Sequence, residues 1–159
     1  MSLYEQDEYR WKLESAASMR KLATMKFANE EIQLFEESAQ YLEEMAISDR
    51  RKLMGLMSVV LLHFLKIDYQ PEMEGYSWKK SIKTARTRLD KLIYLLPSLR
   101  NAVSEPANTN PEAPSLFNKA YEYARKEAAD ETDLNLNTFP KENPYTIEQM
   151  FDEKFFGNN

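Results

Sequence analysis

The chain has 159 residues, 43% of them hydrophobic and 30% charged, and a formal net charge of −5. That is enough apolar mass for a core and enough charge to cover it, which excludes a disordered or membrane-embedded composition. The absence of cysteine excludes disulfides, thiolate catalysis, cysteine-bound zinc and iron–sulfur clusters, and three glycines argue against an all-β fold or a glycine-rich phosphate loop.

The opening "MSLYEQDEYRW" is polar and has no apolar signal core, so a cytoplasmic location is expected. A first helix is expected from about Tyr4 to Met25, with Tyr4, Trp11, Ser18, Leu22 and Met25 near one face. Asn29 is placed to cap a second helix, with Glu30 and Glu31 in its first turn. Ile32, Phe35, Ala39, Leu42 and Ala46 form its apolar stripe. Ser48 and Asp49 read as the start of a third helix over about 49–68, the most apolar stretch of the chain. Leu53, Leu56, Met57, Val60, Phe64 and Ile67 lie on one side, with Met54, Leu61 and Leu65 beside them. So wide a stripe predicts a helix buried on most of its circumference. A membrane span needs about 20 apolar residues, and this run is interrupted by Gly55, Ser58 and His63.

Pro71 and Gly75 mark a loop over 69–77, and Ser77 is placed to cap a fourth helix. Trp78, Ile82, Ala85, Leu89, Leu92, Ile93 and Leu96 give that helix its buried face. Pro97 ends it and can open a short helix through Val103. Three prolines in 105–114 mark a surface loop. Ser115 then caps a helix whose Leu116, Phe117, Ala120, Tyr121, Ala124 and Ala128 face inward. An irregular segment follows over about 132–145. Thr146 and Gln149 form a capping box for a last short helix, on which Phe151, Phe155 and Phe156 supply an apolar face. The expected architecture is all-α: a single compact bundle of five to six helices around the apolar helix 49–68, in one domain covering 1–159.

Catalytic constellations fail on counting. One histidine, His63, cannot supply H-E-x-x-H or the paired E-x-x-H of a di-iron bundle, and Val60 precedes it by three where a glutamate would be needed. No G-x-S-x-G or G-x-x-x-x-G-K-[ST] occurs. "DLNLN" at 133–137 imitates a calcium loop, but Thr138 and Pro144 stand where glycine and a bidentate glutamate belong. Glu30, Glu37 and Glu44 recur every seven residues on one helix side, which reads as a solvated acidic face rather than a metal site. Lys79, Lys80, Lys83, Arg86, Arg88 and Lys91 against Asp90 make the fourth helix basic. Such a face either binds phosphates or pairs with the acidic helix, within one chain or across a dimer. The tail aromatics dock either onto their own core or onto a partner.

The stretch 61–100 carries a combination of motifs: His63, Leu65 and Lys66; Tyr69 and Pro71; Ser77 and Trp78; Arg86; and Pro97, Ser98 and Leu99. In these it resembles the bacterial family catalogued as domain of unknown function number 29. "LYEQDEYRW", "SDRRKL", "AYEYARKEAADET" and "FPKENPYTIEQMFDEKFF" extend the likeness over nearly the whole chain. The chain departs from the family at Gln40 and Tyr41, where a pair of glutamates is common, at Ala46 and Asp133, where glycine is, and at Asn143, where cysteine is. The 105–114 loop resembles an insertion. The resemblance implies an all-helical bacterial cytoplasmic protein and carries no established activity.

The candidate binding residues are His63, Lys66, Tyr69, Trp78, Lys83 and Arg86; no catalytic or metal-ligating residue is assigned, and no cofactor is expected. The leading functional expectation is a non-enzymatic helical module that binds a protein partner or a second copy of itself. One alternative is binding of nucleic acid or a phosphorylated ligand through 79–91. Another is an enzyme with its site around His63, Lys66, Trp78 and Arg86. No membrane association is expected.

Overall fold

The computed structural model describes residues 1–73 and 75–158; Glu74, in the loop expected over 69–77, and Asn159 lie outside the described residues. Among the described residues there are seven α-helices and no strand, and the chain is 72% helical, as the all-α reading required. No helix among the described residues is long and apolar enough to cross a membrane.

The helix expected over 4–25 is two helices, α1 (Leu3–Gln6) and α2 (Glu8–Ala23). Asp7 separates them. Its backbone is extended, at φ −158° and ψ 88°, and its buried carboxylate accepts the Arg10 N–H at 3.0 Å and the Ser98 N–H at 2.8 Å. A helix start leaves unpaired N–H groups, and an aspartate outside the helix satisfies them better than one inside it. Ser2 and Glu5 close a capping box on α1.

The second and third helices expected from the sequence are one, α3 (Asn29–Tyr69), of 41 residues. Ser48 and Asp49 lie inside it. Asp49 is 4% exposed and accepts from Lys12 Nζ at 2.7 Å, so its carboxylate serves a tertiary ion pair and not a cap. No proline interrupts the run, and the buried Ala39 and Ala46 pass in helical period to Leu53, Met57 and Val60. At the start of α3 the Ala28 carbonyl accepts from Ile32 N and Glu31 caps the Ala28 N–H at 3.0 Å, leaving Asn29 in the first turn.

Helix α4 (Tyr76–Leu95) hangs from the Gly75 carbonyl, which accepts from Trp78 N at 2.9 Å; Ser77 is therefore inside the first turn instead of capping it. Pro97 follows its end, and α5 (Leu99–Ala102) is the short helix expected there. Helix α6 (Leu116–Thr132) is capped by Ser115, and α7 (Ile147–Phe151) by the Thr146–Gln149 box, both as the sequence indicated. Asp133 closes α6 at φ 56°, the left-handed conformation that suits glycine.

The chain divides into two compact units, Met1–Lys52 with Leu92–Arg100, and Leu53–Lys91 with the chain from Asn101 onward. In the first, Tyr9, Ala16, Ala39, Ala46, Leu96 and Leu99 are buried, and so is the Lys12–Asp49 pair. In the second, Leu53, Met57, Val60, Leu61, Phe64 and Leu65 of α3 are fully enclosed, as are Ile82 and Leu89 of α4 and Ala120, Ala124 and Ala128 of α6. Ser58 Oγ reaches the Ala120 carbonyl at 3.1 Å, a close approach that small residues on α6 permit. The 105–114 loop is pinned at its base, where Ala107 N donates to Pro114 O and Leu116 N to Glu105 O.

Candidate functional site

Five of the six candidate residues fall into two groups within the second unit. In the first group, the end of α3, the start of α4 and the end of α6 bring Lys66, Trp78 and Glu131 together. Lys66 Nζ lies 2.7 Å from the Glu131 carboxylate and 4.9 Å above the Trp78 ring. Tyr69, one turn further along α3, packs edge-on against Phe139 at 5.1 Å. The Lys66 charge is thus neutralised on one side and covered by an aromatic face on the other.

The second group is built on Arg86. Arg86 is 4% exposed, whereas Lys80, Lys83, Arg88 and Lys91 on the same helix are exposed. Its Nε donates to the Met150 carbonyl at 2.8 Å and its Nη2 to the Gln149 carbonyl at 2.9 Å. These are carbonyls at the C-terminal end of α7, where a helix leaves acceptors unpaired and favours positive charge. The guanidinium also stacks 5.3 Å from Phe64 and 5.5 Å from Phe156, and Lys83 Nζ stands 5.7 Å from Phe156. Nη1 is buried with no hydrogen-bond partner. Burial lowers the Arg86 pKa, and Asp152, Glu153 and Asp90 partly offset that. The geometry makes Arg86 a clamp on the C-terminal chain, so the solvent-facing basic surface of α4 lacks its central arginine.

The same chain is held at a second point. Tyr145 Oη donates to Asp68 at 2.7 Å, and the Asn158 N–H donates to Asp68 at 2.6 Å. Between them Gly157 sits at φ +119°, and a Cβ there would lie 2.5 Å from Asp68 Oδ1; only glycine fits. Phe155 packs on Phe64 with ring centres 5.0 Å apart, so this tail aromatic docks onto its own core.

His63 is half-buried, and its Nδ1 lies 2.7 Å from the Val59 carbonyl of its own helix. Among the described residues no hydrogen bond or ion pair joins it to Lys66, Trp78 or Arg86. "DLNLN" is turn chemistry: Asp133 ends α6, and the Asn135 side chain accepts the Asn137 N–H at 2.9 Å. No group of three or more histidine, aspartate or glutamate side chains among the described residues has metal-binding geometry.

A third feature was not among the sequence candidates. In the first unit Tyr4, Glu8, Trp11, Tyr41, Leu42 and Met45 line an open groove of about 450 Å³. Tyr4 and Trp11 meet edge to face at 5.1 Å, and Tyr41 is 64% exposed. The signal was present in part, since Tyr4 and Trp11 lie seven residues apart. It took the folded chain to bring α3 beside them. Glu30, Glu37 and Glu44 stand exposed along α3, Glu37 and Glu44 flanking Tyr41 and accepting from Gln33 at 2.7 Å and Gln40 at 3.0 Å.

The described residues form an all-helical fold with an aromatic-lined groove and ion-paired surface residues. The sequence profile of the family described as Domain of unknown function DUF29 matches residues 3–156, and the chain belongs to that family. Searches of curated proteins and of solved structures return no significant match.

Proposed function

We propose that the chain is a non-enzymatic helical module of the bacterial cytoplasm that binds a protein partner through the open face of α2 and α3. The observation that carries this reading is the groove beside Tyr41, with Tyr41 64%, Leu34 60% and Tyr4 51% exposed. Large apolar side chains left partly in water forgo a share of the roughly 1.5–3 kcal/mol that full burial of such a side chain gives. Contiguous exposed patches of them mark interaction surfaces, and tyrosine is among the residues that most often anchor one. The test is light scattering of the purified chain together with co-purification from its own cells. Tyr41→Ala should lose a self-association or a retained partner that the parent chain shows. A strict monomer that retains nothing overturns the reading.

A second reading has its own observation. Lys80, Lys83, Arg88 and Lys91 are exposed on α4, which supports binding of nucleic acid or a phosphorylated ligand through phosphate contacts. Such binding should weaken with salt and with Lys83→Glu plus Arg88→Glu. No shift of single- or double-stranded probes at low salt removes it. Arg86, buried under the tail, is not a useful position for that test.

A further inference from the structure

We propose that the open face of α3 is covered by a second copy of this chain, which lays the basic seam of its α4 along the acidic seam of α3, once in each direction. The inference rests on the protein-binding reading and names the partner. On α3, Glu30, Leu34, Glu37, Tyr41 and Glu44 follow one another at spacings of 4, 3, 4 and 3 and are all exposed. That spacing places them on one face of the helix, where a neighbouring helix can meet them. On α4, Lys80, Thr84, Thr87, Lys91 and Tyr94 show the same spacings and are also all exposed, with Lys83 and Arg88 at their sides. Each seam covers 15 residues, or about 21 Å of helix at 1.5 Å per residue. One seam alternates acid with apolar residues and ends on acid. The other is basic at Lys80 and Lys91 and closes on Tyr94, which is 84% exposed.

Neither seam is satisfied by an ion pair. Glu43, beside the first, bonds Arg20 at 2.9 Å, but Glu30, Glu37 and Glu44 make no ion pair among the described residues, and neither do Lys80, Arg88 and Lys91. Two seams of equal length, matched spacing and opposite charge, both left open on one chain, complement each other across two chains. A two-fold dimer forms the contact twice and closes on itself. A pairing of α3 with α3 would set glutamate against glutamate.

The test is a charge swap on the full chain. The parent should scatter as a dimer at low salt, and its dissociation constant should rise at least tenfold when ionic strength approaches about 1 M, where the screening length is only about 3 Å. Glu37→Lys with Glu44→Lys should be a monomer, and so should Lys80→Glu with Lys91→Glu, because each homodimer now sets like charge against like along the seam. Mixed in equal amounts, the two variants should form a heterodimer, since both contacts then pair opposite charges. All four positions are exposed, and circular dichroism should report unchanged helicity. A parent chain that stays monomeric at low salt, self-association indifferent to both reversals, or a mixture that does not associate overturns the inference. A monomer that retains a different protein through Tyr41 overturns this inference alone; one that retains nothing overturns the protein-binding reading with it.

Discussion

Lys12 sits in the first unit with 4% of its surface exposed, held by Asp49 at 2.7 Å and Glu8 at 3.0 Å. Burial alone would depress the pKa of such an ammonium; the hydrogen bonds it donates to Asp49 and Glu8, with their negative charges, more than offset this, and the pKa is raised. Asp49→Ala leaves that charge buried with only the half-exposed Glu8 beside it. Removing one partner of a buried pair costs about 3–5 kcal/mol, and Glu8 should keep the loss near the lower end, about 3 kcal/mol by urea denaturation. Lys12→Met combined with Asp49→Leu should recover most of it, because the desolvation penalty disappears with both charges. If the single variant loses under about 1 kcal/mol, the range of an exposed pair, the ion pair contributes no more than a surface one. The sequence could not show this pair, because its members are 37 positions apart and Asp49 reads locally as the start of a helix.

Helix α3 shows what governs an element. Its 41 residues contain one glycine, Gly55, which is exposed and would place a Cβ in open space. Glycine in a helix interior costs about 0.5–1 kcal/mol relative to alanine. Gly55→Ala should therefore stabilise the chain by that amount, read as a raised denaturation midpoint with an unchanged slope. A destabilised variant would mean that this position needs its glycine for close approach to something else. The caps at Ser115 and Thr146 were legible because a cap is a local bond over three residues. Ser48 and Asp49 have the same residue types and did not cap, because a continuous apolar period on both sides makes it more favourable to continue the helix than to end it. Asp7, inside the span expected to be a single helix, does end one. The decisive bond runs to Ser98, which local spacing cannot reveal.

For the whole molecule, two buried tyrosines make stability fall with pH in the alkaline range. Burial raises the pKa of Tyr121 to about 12, against a weak pull downward from Arg125, and its hydroxyl donates to the Pro140 carbonyl at 2.7 Å. Burial and the Asp68 carboxylate raise Tyr145 further. In both cases the fold holds the neutral form. The contribution is complete below the unfolded value of 10.0 and is lost as pH rises toward the folded values. Helicity by circular dichroism should persist to about pH 10 and collapse by about pH 12, together with a late step of tyrosinate absorbance. An early single step with helices intact would show that both hydroxyls reach water. Because α3 and α4 each give residues to both compact units, we propose that the chain unfolds as one domain. Circular dichroism and tryptophan fluorescence should then give coincident transitions, and two separated ones would divide it.

The sequence by itself determined the all-α class, the buried run of α3, two helix caps, the inward face of α6 and the family, because periodicity, local capping and motif combinations are written in consecutive residues. Only the tertiary structure decided that two expected helices are one and that Asp7 interrupts another. It also decided that Arg86 leaves the basic face to clamp the tail, and that Tyr41 completes a groove with Tyr4 and Trp11. Each of these depends on which distant residue satisfies a charge, a carbonyl or an apolar surface, and a chain shows that pairing only once it has folded.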